Sequence, residues 1–98
     1  ADVDMKLRAL REQQVEARRL VESVEAALLA DADLLDPDEL AGIRAQLART
    51  AGAAASDDSE TVRAQVEALA QATEDFAARR MDRSIRQALS GRRVDEIV

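Results

Sequence analysis

Cysteine and histidine are absent from this chain, and aromatic residues are almost absent. Without a thiol or an imidazole, the chain lacks the usual cysteine nucleophile, the commonest general acid–base group and the preferred zinc ligands. Phe76 is its single aromatic residue, whereas stacking surfaces for single-stranded nucleic acid need several rings. The sequence therefore predicts no catalysis, no cofactor and no metal site within these residues.

Glycine and proline are also scarce, at 3 and 1 of 98 residues. Charged residues make up 35% of the chain, and its richness in Ala, Glu, Arg, Leu and Gln is typical of long helices. Valine and isoleucine are too few and too scattered for a β-sheet. These features predict an all-α domain.

Long apolar runs are missing, since no stretch approaches the length of about 18 apolar residues that a membrane helix requires. We find no signal peptide and no initiating Met, and the chain begins in the middle of a helical pattern. We therefore expect a cytoplasmic fragment of a longer protein, with no membrane partner.

Negative charge dominates, with a net charge of −6. Residues 75–98 hold six Arg and four acidic residues, or +2, so residues 1–74 carry −8. An acidic body repels phosphate backbones, which argues against nucleic acid as a partner.

The first helix is predicted from about residue 3 to residue 30. Apolar residues recur along it every three or four positions, as a helical stripe does: Val3, Leu7, Leu10, Ala17, Val21, Val24 and Leu28. The stripe is thin before Ala17 and broader after it. We expect only the second half to pack into a bundle, with the first half projecting.

A second helix is predicted from residue 37 to about residue 50. Asp36 is placed to cap it, Pro37 suits the first helical position, and Glu39 completes a capping box. The acidic segment, residues 31–39, does not begin a calcium loop: counted from Asp31, the sixth position is Asp36 where Gly is needed, and the twelfth is Gly42 where Glu is needed.

The third helix is predicted as one segment, residues 57–90, with capping groups at Ser56, Asp57 and Asp58. Its apolar line reaches Phe76 and then shifts to a new set: Ala77, Met81, Ile85, Ala88 and Leu89. The shift predicts a bend near Ala78 or a change of packing partner. Gly91 is typical of a helix end, so residues 91–98 are predicted to form a frayed tail.

Short connections make successive helices antiparallel neighbours. The chain is therefore predicted to be one domain, residues 1–98, forming an antiparallel three-helix bundle with a long overhanging first helix and a projecting C-terminal segment.

Two charged surfaces have more than one interpretation. The last helix carries a cluster of four arginines, Arg79, Arg80, Arg83 and Arg86. This cluster is either a solvated face near a helix end or a docking face for an acidic protein or a neighbouring domain. On the first helix, arginines alternate with glutamates. They form either ordinary surface pairs worth ~0.2–0.5 kcal/mol each or a contact with another domain.

Several segments resemble the helical lid of HscA, a family of DnaK-type heat-shock chaperones. Residues 10–17 (LREQQVEA) look like the long helix of that lid, and residues 33–39 occupy the place of its acidic helix start. The most specific pieces are residues 75–82 (DFAARRMD) and 94–97 (VDEI). The long disordered tail of general DnaK-like lids is missing, which favours HscA.

The resemblance implies a lid that closes over a client-binding β-sandwich located upstream and slows client release. It also implies an ATPase domain that uses ATP and Mg, an iron-sulfur scaffold protein as client, and a J-type co-chaperone. DnaK-like lids use a paired acid and histidine to contact the sandwich. Arg18 and Glu22 stand in their place here, which departs from the family pattern.

The residues predicted to approach the sandwich are Met5, Leu7, Arg11, Val15, Arg18, Arg19 and Glu22. An alternative is a helical oligomerisation module, in which the exposed overhang pairs with a second copy to form a dimer.

Overall fold

The computed structural model describes the backbone of residues 2–97 and the side chains of residues 2–90. Its elements are α1 (Asp2–Asp31), a 3-10 turn (Ala32–Leu34), α2 (Pro37–Ala53), α3 (Ser59–Ala72) and α4 (Glu74–Ile97). No strand occurs in this part of the chain. The all-α prediction is confirmed.

Helix α1 packs mainly through its second half, as its apolar pattern predicts; from its first half, Leu10 packs on the smaller core cluster and Gln14 donates to the Ser56 carbonyl at 2.8 Å. Buried residues begin at Ala17 and continue with Val21, Val24, Ala27 and Leu28. Residues 2–9 are all exposed. At ~1.5 Å per residue, α1 is about 45 Å long, and the molecule measures 64 Å along its longest axis. Residues 2–9 of α1 therefore overhang the bundle.

The start of α2 has the predicted capping box. Asp36 accepts a hydrogen bond from the Glu39 amide at 2.7 Å, and the Glu39 carboxylate accepts one from the Asp36 amide at 3.0 Å. Pro37 occupies the first turn. This reciprocal arrangement satisfies amides that would otherwise lack partners at a helix N-terminus. Asp58 caps α3 in a similar way, by accepting from the Glu60 amide at 3.2 Å.

The prediction of one third helix, residues 57–90, is wrong. Two helices, α3 and α4, meet at Thr73, whose backbone angles are φ −104° and ψ 3°. The Thr73 hydroxyl donates to the Leu69 carbonyl at 2.9 Å, and the Thr73 amide donates to the same carbonyl at 3.1 Å. The break between α3 and α4 therefore lies at Thr73, five residues before the predicted position at Ala78.

The predicted end at Gly91 is also wrong, because α4 continues to Ile97. Glycine costs about 1 kcal/mol in a helix interior, which is too little to end a helix by itself. The residues that follow include Arg92, Arg93 and Glu96, which are good helix formers. The predicted tail, residues 91–98, is therefore helical as far as residue 97, and residue 98 lies outside the described residues.

The core divides into two apolar clusters. The larger joins Val24 and Leu28 of α1 to Ile43 of α2, Leu69 of α3 and Phe76 of α4. The smaller joins Ala17, Ala54 and Val62. Since α2 begins beside the end of α1 and finishes beside its middle, the three helices α1–α3 alternate in direction and form the predicted bundle.

A polar contact that the sequence analysis missed lies between α2 and α3. Thr50 is fully buried, and Gln46 is 7% exposed. The Gln46 side-chain amide donates to the Gln65 side-chain oxygen at 2.8 Å, and the Thr50 hydroxyl lies 3.1 Å from the Gln65 carbonyl. Since buried polar groups need partners, these bonds fix the register of α2 against α3.

Candidate interaction surfaces

The overhanging half of α1 presents apolar side chains to solvent. Met5 is 67% exposed, Leu7 47% and Val15 39%. Leu7 and Val15 line an open groove along α1, together with arginine and carboxylate side chains. Exposed apolar residues of this size are ordinary when single, but a row of them marks a surface for interaction.

All seven residues predicted to contact a neighbouring domain are exposed. Leu7, Arg11, Val15 and Arg19 succeed one another at intervals of four and line the same groove. Because successive residues are about 100° apart around a helix, Arg11, Val15 and Arg19 lie on the side of α1 away from Ala17 and Val24, which are buried. Leu7 lies in line with the buried stripe, but in the overhang, where it is exposed.

Arg18 and Glu22 lie on a neighbouring surface. They border a second, smaller groove whose other wall is the C-terminal end of α2, including Ala51, Ala54 and Ala55. The structure therefore places six of the seven predicted residues on two neighbouring surfaces, one along α1 and one between α1 and the end of α2. Met5 lies nearer the N-terminus and lines neither groove. Their contact with a neighbouring domain stays a prediction.

Three arginines of the predicted docking face instead bind carboxylates of this same chain. We call the set Arg79, Arg80, Arg83, Glu39, Asp31 and Asp33 the arginine clamp. Arg79 makes two parallel bonds to the Glu39 carboxylate, at 2.9 and 2.7 Å, and donates to the Leu34 carbonyl at 2.9 Å. Such paired bonds fix direction as well as distance.

Asp31 receives the other two arginines. Arg80 Nε donates to it at 2.8 Å and Arg83 at 2.9 Å, and Arg83 also donates to Asp33 at 2.9 Å. The Arg80 guanidinium lies 5.9 Å from the centre of the Phe76 ring, at a cation–π distance. The clamp thus joins the second and third turns of α4 to the end of α1, the connection after it and the first turn of α2.

Arg86, the fourth predicted arginine, lies outside the clamp. It pairs with Asp82 on its own helix at 3.1 Å, and both side chains are well exposed. A pair of this kind contributes little to stability. A docking role for any of the four arginines stays a prediction.

The clamp shifts the ionisation of its members. Hydrogen bonds from Arg79, and then from the Asp36 amide, lower the pKa of Glu39 from 4.5 to about 2. The Arg80 bond lowers the pKa of Asp31, and the Arg83 bond lowers that of Asp33. The same bonds raise the pKa of Arg83. The three carboxylates and Arg83 are therefore charged at neutral pH.

The lowered pKa of Glu39 predicts a loss of stability in acid. A carboxylate with a folded-state pKa below its unfolded value stabilises the fold above about pH 4.5, and this contribution disappears as the pH falls toward about 2. Arg79→Gln removes the main cause of the shift. We expect the variant to melt below the wild type at pH 7 and to approach it near pH 2.

Thermal melts at several pH values, with Arg44→Gln on the exposed face of α2 as the control, measure this difference. Equal pH dependence in wild type and Arg79→Gln would show that the bond to Glu39 does not form in solution.

The acidic partners of the clamp escaped the sequence analysis. The acidic loop and the arginine cluster are both evident in the sequence, but no local pattern links them. Arg79 and Glu39 are 40 residues apart, and sequence spacing does not indicate contacts at that separation. The only indication in the sequence was the opposite charge of the two segments, acidic in residues 31–39 and basic in residues 79–86.

None of the described helices is both long and apolar enough to cross a membrane. No protein-family model matches the chain.

Comparison with curated proteins gives a consistent set of relatives. The chain is 64% identical to the chaperone protein HscA homolog of Bordetella pertussis over 97 residues. It is 56% identical to the chaperone protein HscA homologs of Burkholderia mallei and Burkholderia thailandensis, again over 97 residues. Each alignment covers 99% of this chain and 16% of the relative.

The chain thus spans about one sixth of the length of the relatives it matches. The alignments include residues 10–17, 75–82 and 94–97, on which the resemblance was first based, and cover 97 residues in all. The chain belongs to the HscA family of chaperones.

Proposed function

We propose that this chain is the helical lid of an ATP-dependent chaperone, and that it covers the client site of a β-sandwich elsewhere in the same protein. The observation that carries the proposal is the outer face of α1, where Leu7, Arg11, Val15 and Arg19 form one exposed row. The homology to HscA chaperones supports it.

A lid acts by slowing the release of the client, so it must be a rigid body that contacts the client-binding domain on one side. Helix α1 suits this role because its second half is buried in the bundle while residues 2–9 are exposed. Burial of Leu7 and Val15 against the partner domain would contribute binding free energy. The flanking arginines and glutamates would make the contact specific.

The remaining parts of the proposal rest on the resemblance. An ATPase domain in the longer protein would bind ATP and Mg. The client would be an iron-sulfur scaffold protein, delivered by a J-type co-chaperone, and the process would be iron-sulfur cluster assembly in the cytoplasm. This segment would bind none of these cofactors and perform no catalysis.

Charge reversal on the outer face tests the proposal. We expect the triple variant Arg11→Glu, Arg18→Glu and Arg19→Glu, made in the full-length chaperone, to release a fluorescent client peptide roughly tenfold faster in the presence of ADP. The reason is that acidic side chains on the facing surface, which would attract the three arginines, would repel the three glutamates. Stopped-flow dissociation measures the rate.

Arg44→Glu with Arg63→Glu, two exposed positions on α2 and α3, is the matched control and should leave release unchanged. An unchanged rate in the triple variant, with unchanged helical content, would overturn the lid proposal.

A second candidate function, a helical oligomerisation module, is favoured by the exposure of Val3 and Met5 at 69% and 67%. In that case the overhang pairs with a second copy. Sedimentation of the intact protein distinguishes the two functions, since a dimer abolished by Leu7→Glu supports the module.

A further inference from the structure

Helices α3 and α4 are separated by a single residue, Thr73. Residues 59–90 contain neither glycine nor proline, which are common causes of a sharp kink. The Thr73 angles, φ −104° and ψ 3°, differ from α-helical values by only about 40–45°. Helical hydrogen-bond spacing is kept on both sides, because the Thr73 amide donates to the Leu69 carbonyl and the Ala77 amide donates to the Thr73 carbonyl. The break is therefore a local change at one residue.

The Thr73 side chain stands where the helical hydrogen-bond ladder is interrupted. Its hydroxyl donates to the Leu69 carbonyl at 2.9 Å and lies 3.2 Å from the Ala70 carbonyl. In a continuous helix the Ala70 carbonyl would accept from the Glu74 amide. The hydroxyl thus competes with the ladder at the step where α3 ends and α4 begins.

A continuous helix through Thr73 is compatible with the sequence and with the packing. It would give the amides of residues 74–76 the carbonyl partners that the first amides of a helix lack. Phe76 follows Leu69 by seven residues, about 20° short of two full turns, so its ring stays on the bundle side in either form. An open groove of about 290 Å³ lies between α2 and the junction, where Ala72 and Asp75 line it. The junction is therefore not enclosed by packed side chains.

The arginine clamp holds α4 in its observed direction. Beyond Phe76, the hydrogen bonds that join α4 to the other described elements come from Arg79, Arg80 and Arg83. All three arginine side chains are partly exposed, so dissolved ions reach them and screen their charge. Glu74 and Asp75 also favour a helix that starts at this point, because acidic residues stabilise a first turn.

We infer that Thr73 is a two-state hinge and that the arginine clamp is its catch. In the closed form the clamp is made and α3 and α4 are separate helices. In the open form the clamp is broken and the two helices continue as one, which carries the arginines away from residues 31–39. Ionic strength sets the balance, because salt weakens the ion pairs and has little effect on the backbone hydrogen bonds of a continuous helix.

The hinge lies away from the outer face of α1, so its test does not depend on the lid proposal. Spin labels at Arg44→Cys on α2 and Gln87→Cys on α4 report its state, in a chain that has no other cysteine. A change of about 20° at Thr73 displaces residue 87, about 21 Å further along, by about 7 Å. We expect one main distance at low salt and a second, discrete distance whose population rises at least threefold between about 50 and 500 mM salt.

Two pairs of variants test the catch and the hinge separately. Arg83→Gln should populate the second distance at low salt, whereas Arg86→Gln, which lies outside the clamp, should not. Thr73→Val removes the hydroxyl but keeps the branched shape, and should raise the second population at least threefold. Thr73→Ser keeps the hydroxyl and should behave as the wild type.

Amide hydrogen exchange gives the second readout, because a continuous helix pairs the amides of residues 74–76. In Thr73→Val combined with Arg83→Gln, exchange at these amides should slow at least threefold relative to the wild type. A single distance in every variant and at every salt concentration would overturn the inference. Faster exchange with a loss of helical circular dichroism would also overturn it, since α4 would then fray and not join α3.

Discussion

Replacing Phe76 with alanine is expected to lower the free energy of unfolding by about 3–5 kcal/mol. Phe76 is 3% exposed and belongs to the larger cluster, where it joins α4 to Val24, Leu28 and Ile43. Small domains have a total stability of roughly 5–15 kcal/mol, so the change removes a large part of it. The cavity would open in the region where α4 joins the bundle.

Urea denaturation followed by circular dichroism measures this loss. Phe76→Leu retains most of the apolar volume and serves as the control, with less than half the effect expected. A loss below about 1 kcal/mol for Phe76→Ala would mean that the ring is not packed between the helices.

The second large effect is expected from Asp31→Ala, which removes the carboxylate shared by Arg80 and Arg83. Asp31 is the least exposed acid of the clamp, at 17%. Without it, Arg80 loses its ion pair and Arg83 keeps only Asp33. We expect α4 to lose its fixed direction while the bundle of α1–α3 stays folded.

Spin labels at Arg44→Cys and Gln87→Cys report this change as a distribution of distances between α2 and α4. The wild type should give one narrow distribution, and Asp31→Ala one that is roughly twofold wider or more. Asp38→Ala, an exposed acid in the first turn of α2, is the control. Equal widths in all three proteins would show that Phe76, and not the clamp, holds α4.

The parts of the fold that depend on local signals were predictable from the sequence. The start of α2 followed from Asp36, Pro37 and Glu39, because a capping box involves only residues three apart. The half-buried state of α1 followed from the width of its apolar stripe around Ala17.

The parts that depend on distant contacts were not predictable. Nothing local distinguishes Thr73 from other β-branched residues in helices, yet the chain changes direction there because Phe76 packs on α1 and α2 and the clamp holds the next turns. The shift of apolar residues after Phe76 is evident in the sequence. Its cause needs the positions of Asp31 and Glu39, which bind the arginines of α4 and leave Met81 and Ile85 exposed.

The candidate site also has parts that follow from local sequence signals and parts that depend on distant contacts. Exposure of Leu7 and Val15 could be expected from the thin stripe of α1. The arginines of α4 were identified as a charged surface, but their intramolecular partners came only from the structure. The groove that joins Arg18 and Glu22 to the end of α2 likewise depends on how the two helices cross.

The central claim, that the outer face of α1 touches another domain of the chaperone, is tested most directly by site-specific cross-linking. A photoreactive amino acid at Leu7 or Val15 of the full-length protein should cross-link to the client-binding domain with ADP bound and much less with ATP. The same group at Leu29, on α1 but far from the overhang, should not. Equal cross-linking at Leu7 and Leu29, or none in either nucleotide state, would contradict the account.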